Sequence, residues 1–258
     1  MSVAFKVVIP ARYGSTRLPG KPLLTIAGKP MIIHVCEKAQ AAGADSVVVA
    51  TDDDRIFQAV MDRGFNAIMT SAAHQSGTER IAEVAEQLAW DAKAIIVNLQ
   101  GDEPLIPAEL IREVAVTLAA QEYASIATLA SEIDDWSEIF NPNAVKVVTN
   151  QAGYAMYFSR APIPWERGCF NFDKPVQPST SFPYLRHIGM YAYTVDFLKR
   201  YCCWPTSELE GIEALEQLRI LWQGEPIVVK TIAITPPAGV DTEADLRRVE
   251  QILLAQVT

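Results

Sequence analysis

The amino-terminal half of the chain alternates short apolar runs with longer segments whose apolar residues recur at helical spacing. The apolar runs span residues 5–9, 46–50, 66–69 and 94–99. Short apolar runs of this kind are typical of strands that are buried on both faces of a parallel sheet. The helical segments span residues 31–42, 55–63 and about 78–88, with a further start near 107. This order predicts an α/β fold in which a mainly parallel central sheet is flanked by helices.

The pattern becomes richer in strands after about residue 125. Strands are predicted at 125–130, 145–149, 154–158 and 188–194, with a hairpin turn at 150–153. Residues 161–183 are rich in proline, aromatic and turn residues, and we expect them to form a loop over a site. Helices are predicted again at 195–204 and 208–222, followed by a strand at 227–234 and a last helix to about 255. We therefore predict one domain over 1–258 with a β-rich inserted lobe at about 130–195.

Composition narrows the class of protein. The net charge of −9 is unfavourable for general nucleic-acid binding. No run approaches the ~18 apolar residues that span a bilayer, and the start of the chain has no signal-peptide pattern. The four cysteines have no metal-binding spacing, so we interpret them as structural thiols. We expect a cytoplasmic protein that binds neither nucleic acid nor membrane.

The first apolar run leads into a loop that concentrates positive charge. Residues 10–23 read PARYGSTRLPGKPL and contain Arg12, Arg17 and Lys21 among glycines and hydroxyls. Arginine and lysine match phosphate oxygens, and ligands bind at the carboxyl ends of the strands in an α/β sheet. The spacing fits neither a P-loop nor G-x-G-x-x-G. The loop is therefore predicted to hold a polyphosphate, with a solvated basic loop as the alternative.

A carboxylate follows the strand at 94–99. Asp102 stands in the run QGDEP, where it is well placed to hold Mg²⁺ together with phosphate oxygens. The alternative is a turn aspartate before the next helix. Glu103 is interpreted either as a second ligand or as a residue that supports the loop.

Eight motifs resemble the 3-deoxy-manno-octulosonate cytidylyltransferase (CMP-Kdo synthetase) family. They occur in the family's order over nearly the whole chain and read PARYGSTRLPGKPL, HQSGTERIAEV, VNLQGDEPLIP, FNPNAVKVV, YFSRAPIPW, LRHIGMYAY, LEQLR and GVDTEADL. The resemblance implies a GT-A-like nucleotidyltransferase fold. It implies that CTP and 3-deoxy-D-manno-octulosonate (Kdo) give CMP-Kdo and diphosphate for lipopolysaccharide biosynthesis. It also implies Mg²⁺ as cofactor and a homodimer that uses part of the β-rich lobe.

The resemblance also assigns roles to residues. The residues predicted to be catalytic are Lys21, Arg12, Arg17 and Asp102. Those predicted to bind the nucleotide are Ala11, Arg12, Ser15, Arg17, Lys21, Ser76, Gly77 and Arg80. Those predicted to bind the sugar are Gln100, Arg160, His187, Tyr191 and Glu216. Asp102 and Asp241 are the predicted Mg²⁺ ligands.

Several of these residues have alternative interpretations. Thr78 could cap the helix that begins in its loop, and Asp241 could cap the last helix, leaving capping to Thr242 if it binds metal instead. His187 could be a general base, but we favour a neutral binding group because phosphoryl transfer depends mainly on positioning and charge stabilisation. Glu216 could be a paired core residue.

Two other functions stay open at this point. One is a cytidylyltransferase for another sugar acid, such as a sialic acid. The other is a catalytically silent regulator that binds CTP. The motifs RLPGK and LRHIGMY count against the first, and the retained cations and carboxylates count against the second.

Overall fold

The computed structural model describes residues 3–14, 18–171, 176–179 and 182–255. Its main sheet contains β1 (Lys6–Ala11), β4 (Ser46–Thr51), β5 (Asn66–Met69), β6 (Ile95–Asn98), β7 (Ile126–Glu132), β8 (Lys146–Thr149), β9 (Ala155–Ser159), β10 (Leu185–Thr194) and β11 (Val228–Ile232). A small ribbon contains β2 (Thr25–Ile26) and β3 (Lys29–Pro30). The α-helices are α1 (Met31–Ala41), α2 (Asp54–Met61), α3 (Gly77–Gln87), α4 (Ala108–Ala119), α5 (Val195–Tyr201), α6 (Glu208–Glu213), α7 (Gln217–Trp222) and α8 (Glu243–Ala255). Short 3₁₀ turns span Lys21–Leu23 and Trp136–Phe140.

The predicted fold class is confirmed. The strand order is β11-β7-β10-β6-β1-β4-β5, in which β10 runs antiparallel to both neighbours and every other adjacent pair is parallel. The predicted hairpin at 150–153 is also confirmed, because β8 and β9 pair antiparallel around it. This hairpin joins the sheet through β10, so the strands predicted for the β-rich lobe extend the central sheet.

The apolar runs of β1, β4 and β6 are largely buried because both faces of the sheet are covered there, whereas β5, at the sheet edge, leaves Asn66 and Met69 exposed. On one face, Val7 and Ile9 pack in a cluster that includes residues of α1 and α4. On the other, Val8 and Ile96 pack with residues of α3, α5 and α7. The strands thus bury both sets of alternating side chains, which accounts for runs without polar alternation. None of the described helices combines the length and the apolarity that a membrane span requires.

The prediction of one helix over 208–222 is wrong. The helix ends after Glu213 because Ala214 adopts left-handed angles, with φ at 51°, and a second helix starts at Gln217. A capping box between Ser207 and Glu210 fixes the start of α6. Arg219 donates two hydrogen bonds of 2.7 Å to the buried Glu210 carboxylate and so ties α7 to α6. The apolar periodicity continues through the break, which is why the sequence pattern did not reveal it.

Candidate active site

The basic loop is folded back on its own start. Gly20 lies at a φ of 68°, and its amide donates to the Tyr13 carbonyl over 3.0 Å. A Cβ on Gly20 would approach the Tyr13 ring to 3.1 Å, so both the angle and the space favour glycine. The Arg55 guanidinium stacks on the Tyr13 ring, with its Cζ 3.4 Å from the ring centroid. Ser15 and Arg17, both predicted to bind nucleotide, lie outside the described residues.

The loop forms one wall of a cleft of about 330 Å³. The residues that line this cleft are Pro10, Ala11, Arg12, Gly14, Lys21, Pro22, Gln100, Gly101, Asp102 and Asp241. Lys21 Nζ lies 2.7 Å from Asp102 Oδ2, 2.9 Å from the Val240 carbonyl and 3.3 Å from Asp241 Oδ1. An ammonium has three N–H donors, so these contacts engage all of them. The structure therefore brings Lys21 together with both predicted metal ligands.

Close backbone packing places Asp241 beside Asp102. The Val240 amide donates to the Asp102 carbonyl over 2.9 Å. A Cβ on Gly239 would lie only 2.9 Å from that same carbonyl, so this approach requires glycine. The cap of α8 is Thr242, whose hydroxyl accepts the Asp245 amide, while the Asp245 carboxylate accepts the Thr242 amide. Capping thus falls to Thr242 and leaves the Asp241 carboxylate on the cleft.

The donor set fits a magnesium ion that also binds phosphate. Asp102 and Asp241 supply two carboxylates, and no cluster of three or more His, Cys, Asp or Glu suited to a metal occurs in the described part of the chain. Mg²⁺ commonly takes one or two carboxylates and completes its shell with water and substrate phosphates. Glu103 does not line the cleft. Burial, followed by repulsion from Asp102, raises the pKa of Glu103 to about 7, which favours the role of a supporting residue.

Arg12 is oriented by the loop before α3. Its Nη2 donates to the His74 carbonyl over 2.8 Å, and the His74 ring contacts the Glu83 carboxylate over 2.5 Å. Ser76 caps α3 by accepting the Glu79 amide, so the prediction that Thr78 caps this helix is wrong. Ser76 is bound to the helix start rather than exposed.

Gly77 and Arg80 have different surroundings. Gly77 lines the cavity described next. Arg80 is fully buried, and its guanidinium donates to the Thr70 hydroxyl and, over 2.8 Å, to Asp52. Arg80 lines neither space, so the structure does not bring it to the predicted nucleotide site directly. It ties α3 to the ends of β4 and β5.

A second cavity, of about 420 Å³, adjoins the cleft through Gln100. The residues that line this acceptor cavity are Gly77, Thr78, Asn98, Gln100, Asn143, Val145, Arg186, His187, Gly189, Tyr191, Tyr193, Tyr201, Ala214, Leu215, Glu216, Gln217 and Ile220. Four of the five predicted sugar-binding residues are in this set. The Tyr201 hydroxyl and Gln217 Nε2 are buried without a hydrogen-bond partner among the residues that the structure describes. Because buried polar atoms are normally paired, these two indicate a cavity built for a polar ligand.

His187 is held as a neutral ring. Thr128 Oγ1 lies 2.8 Å from the Met190 carbonyl, to which its single proton can be donated. The same oxygen lies 3.0 Å from His187 Nε2, so it accepts the Nε2–H and leaves Nδ1 as the acceptor nitrogen. Burial lowers the pKa of His187 to about 3. A ring that stays neutral at physiological pH supports a binding group and is a weak base for deprotonating a sugar hydroxyl.

Glu216 enters the cavity because the helix is broken before it. Glu216 occupies the N-cap position of α7, and its side chain is exposed to the cavity. Thr78 Oγ1 donates a hydrogen bond to Glu216 Oε2 over 3.2 Å. The cavity walls displace enough water to raise the pKa of Glu216. The alternative of a buried, paired core residue is wrong. Arg160, by contrast, does not line the cavity: its guanidinium donates to the carbonyls of Glu213, Pro142 and Ala214.

Some lining residues were not predicted. The signal for Tyr193 was present, since alternation along LRHIGMYAYT puts it on the same face as His187, Gly189 and Tyr191. Tyr201 and Gln217 lie on helices among apolar residues, where nothing in the pattern separates them from core positions. Asn143 lies in a loop without a pattern of its own.

The comparisons with known proteins define the class first. A model of the cytidylyltransferase family matches residues 6–230. Proteins described as 3-deoxy-manno-octulosonate cytidylyltransferase are 57% identical in Hahella chejuensis (97% of this chain, 98% of the relative) and 58% identical in Vibrio cholerae (97% and 98%). The solved structure of a CMP:2-keto-3-deoxy-manno-octonic acid synthetase complexed with CTP is 43% identical, with a TM-score of 0.89 over 98% of this chain and 99% of that chain. This chain belongs to the 3-deoxy-manno-octulosonate cytidylyltransferase family, and the resemblance seen in the sequence is confirmed.

Proposed function

We propose that this protein transfers the cytidylyl group of CTP to Kdo in a magnesium-dependent reaction that gives CMP-Kdo and diphosphate. The observation that carries this proposal is the pair of spaces that meet at Gln100. One is a charged cleft around Lys21, and the other is a cavity with unpaired polar atoms. Such a pair suits a nucleoside triphosphate next to a polyhydroxylated acceptor. The relatives described as 3-deoxy-manno-octulosonate cytidylyltransferase, which match this chain over nearly their whole length, support the proposal.

In this reaction the anomeric hydroxyl oxygen of Kdo bonds to the α-phosphorus of CTP. The bond from that phosphorus to the bridging oxygen breaks, diphosphate leaves, and the hydroxyl proton passes to solvent or a nearby base. Arg12 and Lys21, with Arg17 of the same loop, hold the triphosphate and offset the charge that grows on the leaving group. Lys21 does so by exchanging one of its present carboxylate contacts for a phosphate oxygen. Asp102 and Asp241 would hold magnesium, which when bound would supply a Lewis acid to the reaction.

The residues of the acceptor cavity orient the sugar. Gln100 lies at the junction, next to the α-phosphorus. Glu216 and the neutral His187 accept hydrogen bonds from sugar hydroxyls, while Tyr191 binds beside them. The Ser76–Gly77 segment, at the start of α3, is proposed to contact the cytosine of CTP. Holding both reactants in line accounts for much of the acceleration, since the chemistry needs no covalent intermediate with the protein.

The proposal extends to the setting of the enzyme. CMP-Kdo is an activated donor for lipopolysaccharide biosynthesis, and CTP is a cytoplasmic substrate. We therefore propose a cytoplasmic enzyme. We also propose that it acts as a homodimer in which part of residues 130–195 contacts the partner.

The experiment is diphosphate release from CTP, with and without Kdo, in magnesium and then in EDTA. Release that requires both Kdo and magnesium is the expected result. Release with a sialic acid but not with Kdo would move the protein to another sugar-acid cytidylyltransferase. CTP binding without release for any acceptor would indicate a regulator. An 8-amino analogue of Kdo belongs in the same assay, because the cavity has unpaired donors and acceptors for a changed substituent.

A further inference from the structure

Lys146 of β8 is a fully buried lysine whose partners are all backbone carbonyls. Its Nζ donates to the carbonyls of Asn141 over 2.8 Å, Ala144 over 2.6 Å and Arg160 over 2.7 Å. Burying an ammonium without hydrogen bonds is very costly, but here each of its three N–H donors has an acceptor. The side chain therefore crosslinks three points of the backbone with charge-assisted hydrogen bonds.

These three points belong to one wall of the acceptor cavity and to its support. Asn141 and Ala144 flank Asn143, which lines the cavity. Arg160 follows β9, and its own guanidinium reaches from the Pro142 carbonyl to the Glu213 carbonyl. Fixing Asn141, Ala144 and Arg160 to one ammonium thus also fixes the first wall relative to the second.

The second wall is the break between α6 and α7. Glu213 accepts from the Ser159 hydroxyl over 2.5 Å and from the Arg160 amide over 3.0 Å. Glu216 and Gln217 follow directly and line the cavity. Lys146 itself lines neither the cavity nor the cleft.

We propose that Lys146 is a positioning residue that sets the distance between Asn143 and the Glu216 wall, and thereby determines the affinity for the acceptor sugar. The proposal rests on the proposed function. The cleft around Lys21 shares no hydrogen bond with this crosslink among the described residues, so we expect CTP affinity to depend on it far less than Kdo affinity does.

The charge on Lys146 can be titrated within a pH range that is accessible to enzyme assays. Burial lowers its pKa to about 8. Three charged groups act on it: Glu213 and Glu138 raise the pKa, and Arg160 lowers it. A neutral amine keeps two N–H donors and turns its lone pair toward the third carbonyl, so the crosslink weakens above that pH.

The test compares Lys146→Met with Lys230→Met. Lys230 lies on β11 with its side chain half exposed and pairs with Glu113 over 3.7 Å, so its replacement makes the same chemical change without removing a buried crosslink of the backbone. We expect Lys146→Met to raise the KM for Kdo by ~10-fold or more, by analogy with misplacement of a binding group. The KM for CTP should stay within about two-fold, and Lys230→Met should change neither. An unchanged KM for Kdo in Lys146→Met overturns the proposal.

A double-mutant cycle with Asn143→Ala separates positioning from general destabilisation. If Lys146 acts through Asn143, the two changes raise the KM for Kdo by less together than the product of their separate effects. Effects that multiply would show that Lys146 acts elsewhere and would overturn the proposal.

The wild-type enzyme provides the measurement if Lys146→Met does not fold. Its KM for Kdo should rise several-fold between pH 7 and 9 while the KM for CTP rises less. A ratio of the two constants that stays flat overturns the proposal. Absence of diphosphate release by the wild type with CTP and Kdo would instead reject the proposed function, so the two failures are distinguishable.

Discussion

The cleft around Lys21 and the acceptor cavity around Glu216 share Gln100 but arise from different kinds of sequence. The cleft takes most of its lining from one loop after β1 and from the segment after β6, where parallel strands end side by side. The cavity draws on the antiparallel β10, the loop at 143 and a broken helix. The cleft is therefore assembled mostly from two short segments, with Asp241 added from far along the chain, whereas the cavity draws on a larger number of separate segments.

The chemistry of the two spaces also differs. The cleft contains an ammonium between two carboxylates, 2.7 and 3.3 Å away. Among the described residues, the cavity offers a neutral histidine, phenols and four side-chain amides, with Glu216 as its carboxylate and with Arg186, which pairs with Glu138. In the proposed reaction, charge in the cleft would act on the transition state, whereas unpaired polar groups in the cavity would discriminate between acceptors. Changes in the cleft should thus lower kcat, and changes in the cavity should raise the KM for the sugar.

The largest expected effect, and the strongest test of this difference between cleft and cavity, comes from Asp102→Asn. The substitution keeps the shape but removes a charge that pairs with Lys21 and that the proposed magnesium ion would require. We therefore expect kcat to fall by ~10³-fold, since metal and charge contributions amount to several kcal/mol. The measurement is diphosphate release across a magnesium titration, with the exposed Asp134→Asn as control. Wild-type magnesium dependence in Asp102→Asn would contradict its role as a ligand.

A somewhat smaller loss is expected for Lys21→Ala. If Lys21 offsets charge on the departing diphosphate, kcat falls by ~10²-fold, as for the loss of one preorganised donor. Lys29→Ala is the matched control, since Lys29 pairs with Glu37 and does not line the cleft. Stopped-flow or steady-state diphosphate release measures both. Normal turnover by Lys21→Ala would show that Lys21 only holds Asp102 and Asp241 together.

The difference between the two spaces also explains which of their features could be predicted from the sequence. The basic loop, Asp102 and the mainly parallel sheet were predictable because each is indicated by short stretches of neighbouring residues. The break at Ala214 was not, since left-handed angles at an alanine leave no mark in an apolar pattern. Tertiary contacts created it, including the Arg219–Glu210 pair and the hydrogen bonds from Arg160.

Arg80 and Arg160 illustrate the same limit from the other side. Both occur in motifs of the family, yet neither guanidinium lines the cavity. That of Arg80 binds Asp52 and Thr70, and that of Arg160 binds three backbone carbonyls. A sequence records that an arginine is present but not which partner takes its donors. Their predicted roles in binding stay predictions.

Glu216→Gln tests whether the cavity acts on the affinity for the sugar alone. We expect the KM for Kdo to rise ~10-fold, because a hydrogen bond to a charged group contributes roughly 1.5–3 kcal/mol. The KM for CTP should not change. Glu208→Gln, in the exposed first turn of α6, is the control. An equal increase in both constants would mean that the two spaces are not separable in function.

The smallest expected effect concerns the neutral His187. Its pKa is about 3 in the folded protein and near its ordinary value of 6.5 in the unfolded chain, so between these values the unfolded state binds the extra proton. Stability is therefore lost as the pH falls, by about 1 kcal/mol between pH 7 and 5.5 from this group alone. His187→Gln cannot titrate, so its free energy of unfolding, from denaturant titrations, should fall less than that of the wild type over this range. Carboxylates titrate in both proteins and cancel in the difference. If both proteins lose the same stability, His187 is protonated in the folded state, and its assignment as a neutral acceptor for the sugar fails.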